Sequence, residues 1–380
     1  MKVILTGGGS AGHVNPALAI ANIIKVNDKD SEIIFVGTSR GLENDLVPKA
    51  GYELYHVEMS GVQRRLSFEN IKTNIKTAVR IFTAPIKAKK LIKKFSPDIV
   101  IGTGGYACWP TLTAAAKMGI PTVLHEANAA PGMAVKQLCG KVDLVMTNFA
   151  ETAEKLQKNQ KSIHVGMPMR GEFEGISREE ARRRLGIDSK YKHVILSFGG
   201  SLGAPMVNRA ALEVMKNFSS LHTDTVHYHS SGRIEYDNMM KEYNEAGLDK
   251  CENIEVAPYI YDMSLKMAAA DIVICRAGAM TLAELARLRK VAVLIPSPNV
   301  TDDHQYKNAK VLEDADAAII IRETEFDGKI VSDTVNSLVK NEARRREMSE
   351  NIGKFYDIET GKKIYSEIES LVAKYKKEEK

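Results

Sequence analysis

Two stretches of this chain follow the same plan, and together they restrict the folds open to it. Val3-Ile4-Leu5-Thr6-Gly7-Gly8-Gly9-Ser10 returns as Val194-Ile195-Leu196-Ser197-Phe198-Gly199-Gly200-Ser201. In each copy a β-branched apolar run enters a glycine-rich turn, and a helical pattern follows (Pro16 to Ile24, Val207 to Met215). Glycines there let backbone approach a ligand closely, and the helix beyond presents unpaired N–H groups and a positive dipole end to an anion. Two such units predict an α/β chain with two Rossmann-like domains of parallel sheet facing a central cleft. That arrangement suits an enzyme joining two substrates, at least one a phosphorylated nucleotide derivative.

The remaining strand-like runs agree. Glu32–Val36, Asp98–Gly102, Thr122–Glu126 and Leu144–Thr147 belong to the first half. Thr225–Ser230, Ile254–Ala257, Ile272–Cys275, Val291–Ile295 and Ala318–Ile321 belong to the second. They are short, rich in Val and Ile, and spaced by helix-length segments, the signature of sheets covered on both faces. A glycine- and proline-bearing break at Gly166 to Phe173, after a strand at Ser162–Val165, marks the boundary, with a hinge expected near Pro168. With 380 residues the chain can hold two substantial cores. Its four cysteines (Cys108, Cys139, Cys251, Cys275) form no C-x-x-C pair, as expected of a reduced, cytosolic chain. No apolar run reaches a membrane-spanning length, so the chain reads as soluble or peripheral.

Charge is distributed unevenly. Ten basic residues between Arg64 and Lys94 face a single Glu69. Ile71, Ile75, Val79, Phe82 and Ile86 run among them at helical spacing. Such a segment either packs its stripe into a core or lies on an anionic membrane surface. The residues alone favour core packing. No aromatic-rich platform accompanies the charge, so nucleic acid is not expected as a partner.

Gly7-Gly8-Gly9-Ser10-Ala11-Gly12-His13 satisfies G-x-G-x-x-G after a strand. A nicotinamide site also needs an acidic residue near the end of the second strand, and Val36-Gly37-Thr38 supplies none. His13 stands where the loop enters the helix. Its ordinary pKa of about 6.5 suits a general base, while a turn-capping histidine is the plainer alternative. Gly102-Thr103-Gly104-Gly105-Tyr106 and His125-Glu126-Ala127-Asn128 end further strands on the same edge. They are candidates for the acceptor side, though His125 and Glu126 could equally satisfy loop backbone.

In the second half, Gly199 to Gly203 is read as a diphosphate cradle, with the Ser201 hydroxyl contributing, and it lacks the P-loop signature. Glu284, on the helix after Arg276-Ala277-Gly278, could accept both hydroxyls of a ribose. Gln305 and Asn308 suit a sugar's donors and acceptors. Asp302-Asp303 diverge on most backbones, so no metal site is assigned. His227 and His229 share a strand face and are read as structural.

Taken in order, these loops resemble the MurG family of N-acetylglucosaminyltransferases. The motifs are Gly8 to Ala19, Gly102 to Tyr106, His125 to Asn128, Gly166 to Arg170, Gly199 to Ala204, Arg276 to Glu284 and Asp303 to Ala309. Ala11, Ala127, Leu202 and His304 depart from the family pattern. The resemblance implies a GT-B fold, with residues 1–165 and a terminal helix of about 354–380 forming the acceptor and membrane-facing domain. Residues 166–353 would bind UDP-N-acetylglucosamine. It further implies Arg170, Ser201, Glu284, His304 and Gln305 around the donor, with backbone near Ile260 and Met263 on the uracil. Ser10, Ala11, Gly12, His13 and Asn128 would lie near the reacting centre, with Gly104, Gly105 and Tyr106 on the acceptor side. His13 would be the base of an inverting transfer to lipid I, giving lipid II, with no cofactor. The lipid acceptor raises the membrane reading of Ile75, Val79 and Phe82, and with it a peripheral place on the cytoplasmic face of the bacterial membrane. Rival readings are a UDP-sugar 2-epimerase, an oxidoreductase and a non-catalytic scaffold.

Overall fold

A computed structural model of the chain describes residues 1–59, 68–169, 175–200 and 202–378, with the side chains of 68–79, 81 and 82 left aside. The chain divides into two compact units, Met1–Arg170 with Asp357–Lys380, and Gly171–Tyr356.

The first unit holds a parallel sheet of β1 (Lys2–Thr6), β2 (Glu32–Gly37), β3 (Glu53–His56), β4 (Ile99–Gly102), β5 (Thr122–Glu126), β6 (Leu144–Thr147) and β7 (Ser162–His164). Their spatial order is β3-β2-β1-β4-β5-β6-β7. Because side chains alternate along a strand, β1 sends Val3 and Leu5 to one face and Ile4 to the other. Val3 and Leu5 join the core built with α1 (Ala11–Asn27) and with Ile364, Ile368 and Val372 of the terminal helix Thr360–Glu378. Ile4 joins the opposite core, with Ala84, Ala88 and Ile92 of α3 (Phe68–Phe95) and Leu112 of α4 (Cys108–Lys117).

The second unit repeats the plan with β8 (His193–Phe198), β9 (Thr225–Ser230), β10 (Ile254–Ala257), β11 (Ile272–Cys275), β12 (Val291–Leu294) and β13 (Ala318–Ile320). Their order is β10-β9-β8-β11-β12-β13, again parallel throughout. Each sheet reverses its winding beside its first strand, between β1 and β4 and between β8 and β11. The crevice outside the carboxyl ends of those strands is where open α/β sheets take ligands. Both repeated glycine loops open there.

The sequence reading misses two elements. β3, Glu53-Leu54-Tyr55-His56, is a largely exposed edge strand without an apolar run. The short helix α2 (Glu43–Lys49) carries Pro48 inside it and escapes a periodicity test.

Candidate functional site

In the first unit the two glycine loops interlock. Thr103, almost fully buried, donates its hydroxyl to the His13 carbonyl at 2.7 Å, and its N–H to Thr6 O at 2.9 Å. Gly104 has φ +107°, and a Cβ there would fall 2.5 Å from His13 Cδ2. Only glycine lets the imidazole lie against that turn.

The ring is half-buried, with Nδ1 3.1 Å from Gly8 O and 3.3 Å from Ser10 Oγ. A carbonyl oxygen only accepts, so Nδ1 carries the proton in the Gly8 contact and Nε2 is the basic nitrogen of the neutral ring. Ser10 is the exposed N-cap of α1, and among the described residues the first turn carries no acidic side chain. The N–H groups of Ala11 and Gly12 therefore open the helix beside His13. Tyr106 is exposed on the facing loop.

His125 and Glu126 correct the sequence expectation. Both are buried, and both serve the loop backbone. His125 Nε2 meets Gly166 O at 3.0 Å, and burial pushes the ring down to about 4, so it stays neutral. Glu126 accepts from Asn128 N at 2.8 Å, Asn128 Nδ2 at 3.1 Å and Gly132 N at 2.7 Å. Burial raises its pKa, and those donors partly oppose the rise. Almost fully buried, these two brace the loop that presents half-buried Asn128.

Sequence reasoning also fails to single out Glu43, a fully buried acid under the first loop. It accepts from Gly9 N, Thr38 N and Thr38 Oγ1, each at 2.8 Å. Burial acts to raise its pKa, but these N–H donors outweigh it and hold the carboxyl below its ordinary value. The acid absent at the end of β2 is thus supplied a few residues later by α2, with its oxygens committed to backbone. The signal was a lone Glu after Thr38-Ser39-Arg40-Gly41-Leu42.

In the second unit the loop after β8 runs through Gly200 (φ +96°) to the helix Pro205–Asn217. A Cβ on Gly200 would meet nothing within 4 Å, so that side of the loop is open. Pro205 opens the helix without an N–H. The N–H groups of Met206 and Val207 are then the first that this helix can offer to an anion. The loop after β11 leads to the helix Ala279–Arg287, whose second turn bears half-buried Glu284. Burial and then the nearby Glu284 carboxylate push the Cys275 thiol up. Arg276 donates to Ile295 O at 2.9 Å and pairs with Glu323, which holds it at the base of the loop.

Gln305 accepts from Ser297 N at 2.9 Å and stands half-buried beside this loop's neighbour. Asn308 departs from the sugar-contact expectation: it is fully buried, and its amide reaches Ala277 O at 3.3 Å. His304 lies with Nδ1 2.9 Å from Thr301 O, just after Asp302 and Asp303, both in the left-handed region. Ile260 is buried, and Met263 begins the helix Met263–Ala269. Arg170, Ser201 and the side chains of Ile75, Val79 and Phe82 lie outside the described residues. His227 and His229 are buried around Ser197, whose hydroxyl lies 2.8 Å from His227 Nε2 and 2.8 Å from His229 Nδ1.

The N-terminal domain model of glycosyltransferase family 28 matches residues 3–147 and the C-terminal domain model matches residues 194–361. The Acetivibrio thermocellus UDP-N-acetylglucosamine–N-acetylmuramyl-(pentapeptide) pyrophosphoryl-undecaprenol N-acetylglucosamine transferase is 40% identical over 98% of this chain and 98% of its own. The crystal structure of Acinetobacter baumannii MurG superposes with a TM-score of 0.77 at 27% identity, covering 97% of this chain and 99% of that one. A Neisseria meningitidis UDP-GlcNAc 2-epimerase bound to UDP-GlcNAc shares the fold alone, with a TM-score of 0.65 at 14% identity over 96% of this chain and 99% of that one.

Proposed function

The chain belongs to the MurG family of glycosyltransferase family 28, and we propose that its first unit takes the acceptor and its second the nucleotide sugar. It is a GT-B N-acetylglucosaminyltransferase that moves N-acetylglucosamine from UDP-N-acetylglucosamine to lipid I, giving lipid II for peptidoglycan synthesis.

The observation that carries the site reading is the His13 contact with Gly8 O, which leaves Nε2 as the basic nitrogen at the mouth of the first loop. Nε2 takes the proton of the muramyl C4 hydroxyl as that oxygen attacks the anomeric carbon. The bond to the diphosphate oxygen breaks in the same displacement, inverting the centre, and UDP leaves with the electron pair. The N–H groups that open the helix Pro205–Asn217, after the Gly199-Gly200 turn, suit the charge that grows on the leaving diphosphate. Glu284 suits the ribose hydroxyls. Gln305, whose Oε1 is held by Ser297 N, has its donor end for the sugar. Backbone near Ile260 and Met263 would meet the uracil, and Ser10 and Asn128 would flank the acceptor.

A lipid-linked acceptor supports the reading of a peripheral protein on the cytoplasmic face of the membrane. In support, Ile86, Lys87, Lys89, Lys90, Lys93 and Lys94 are exposed on the described part of α3. Among the described residues no helix is long and apolar enough to cross a bilayer.

His13→Ala tests the base. General-base assistance is worth about 10²–10⁴-fold, so kcat should fall within that range while the Kd for UDP stays close to that of the parent enzyme. A near-normal kcat would remove His13 from the role.

A further inference from the structure

The carboxylate of Glu43 and the imidazole of His13 sit on opposite sides of one peptide group. Gly9 N–H donates to Glu43 Oε2 at 2.8 Å, and Gly8 C=O, the other half of the same amide, lies 3.1 Å from His13 Nδ1. A trans peptide points its N–H and C=O in opposite directions, so the three groups form a line: carboxylate, amide, imidazole. We propose that Glu43 is a positioning residue for the transfer reaction, polarising the Gly8–Gly9 peptide so that its carbonyl holds His13 as the Nδ1–H tautomer. This rests on the reading of His13 as the base.

Four observations support the assignment. First, the carboxylate is fully buried, where an acid is costly unless its oxygens are satisfied. Both are: Oε1 accepts from Thr38 N and Thr38 Oγ1 at 2.8 Å, leaving Oε2 for Gly9. Second, the surroundings are shaped to the carboxylate. A Cβ on Gly8 would fall 2.5 Å from Oε1, and one on Gly41 would fall 1.9 Å from Oε2. Third, those donors keep Glu43 ionised against the effect of burial. An ionised acceptor at the N–H pushes electron density through the amide toward the carbonyl oxygen and makes it a stronger acceptor, as linked hydrogen bonds reinforce one another in a dry site. Fourth, the Ser10 hydroxyl alone, 3.3 Å from Nδ1, could either donate or accept and would leave the tautomer open. The carbonyl accepts only, which closes that choice.

The arrangement follows the logic of an acid orienting a catalytic histidine, with a peptide interposed. Glu43 also acts on the Cys108 thiol, which is buried, donates to Thr6 O at 2.9 Å, and is pushed up to about 12, so it stays neutral and does not compete.

The test begins with the intact enzyme. A ¹⁵N histidine spectrum, with the His13 signals assigned by their loss in His13→Ala, should show the neutral ring protonated at Nδ1. Finding it protonated at Nε2 would overturn the proposal whether or not any Glu43 variant folds. Glu43→Gln should then lower kcat about 10- to 100-fold, the range for losing a partner that orients a reacting ligand. KM for UDP-N-acetylglucosamine should stay near the parent value. The acid limb of the kcat profile should move to lower pH, because an imidazolium without the carboxylate behind it is less stabilised. In the His13→Ala background the same substitution should change kcat little. A Glu43→Gln enzyme with reduced kcat but an unmoved pH profile and an unchanged tautomer would mark Glu43 as loop scaffolding only. Near-normal kcat in His13→Ala would sink the base assignment, and the tautomer measurement would still decide whether Glu43 orients the ring.

Discussion

His13 and Gly104 form a unit at the scale of single residues. The loop conformation at φ +107° and the 2.5 Å approach to the imidazole both exclude a side chain there. Gly104→Ala should therefore push the ring off its contact with Gly8 and lower kcat at least tenfold, since misplacing a reacting group by about an ångström costs on the order of 10²-fold. Its partner loops in the second unit are untouched, so UDP affinity measured by calorimetry should not change. Equal losses in kcat and UDP binding would mean that the substitution unfolds the unit. The residue types and spacing around His13 were readable in the sequence because a glycine loop between a strand and a helix has few other uses. Glu43 was not readable. Its importance depends on a turn that carries a carboxylate back beneath Gly9, and neither periodicity nor spacing records such a return. His125, Glu126 and Asn308 show the converse: polar residues at strand ends or loop mouths read as ligand contacts until burial reveals that backbone has already taken them.

At the scale of elements, β8 and β9 carry a buried polar network. The Ser197 hydroxyl bridges His227 and His229, and Ser219 Oγ lies 3.0 Å from His227 Nδ1. Burial pushes the rings down to about 3 and about 4 respectively, with their mutual repulsion adding to the fall at His227. Both groups are neutral when folded and take up protons near the ordinary value of about 6.5 when unfolded. Folded values below unfolded ones mean that their stabilising contribution is complete above about pH 6.5 and is lost progressively as the pH falls through the folded values. Urea unfolding of the protein between pH 7.5 and pH 5 should show decreasing stability, and His229→Asn should flatten that slope. A slope identical in both proteins would remove this pair as its source.

Helix α3 divides in two. Its described end packs Ala84, Ala88 and Ile92 into the core and exposes its lysines, but Ile86, the one member of the expected stripe whose side chain is described, is exposed rather than packed into that core. If the preceding turns serve the membrane, Ile75→Ser/Val79→Ser/Phe82→Ser should reduce co-sedimentation with phosphatidylglycerol vesicles several-fold. It should leave transfer to a short-chain, water-dispersed acceptor near the parent rate. Unchanged co-sedimentation would refer the stripe back to core packing.

For the whole molecule, the repetition of strand, glycine turn and helix was enough to predict two parallel sheets, because buried parallel strands read as continuous Val- and Ile-rich runs. Most strand limits fall within a residue of expectation. The exception, β3, has only one neighbour and a mostly solvated surface, so it lacks the apolar signature that identified the rest. The terminal helix was readable as helix but not as part of a core. Ile364, Ile368 and Val372 become buried only because the chain returns to α1 after more than three hundred residues. Fold alone does not separate a transferase from a 2-epimerase, since both share this architecture. The separation rests on sequence likeness across the whole chain and on the chemistry of the two loops.

The most direct test supplies labelled UDP-N-acetylglucosamine with a short-chain lipid I analogue, and alone as a control. The account predicts a labelled disaccharide product that forms only with the acceptor and about 10²–10⁴-fold more slowly in His13→Ala, with no change at C2 of the sugar in the control. Conversion of the donor to its C2 epimer without an acceptor, or tight UDP binding with no transfer, would contradict it.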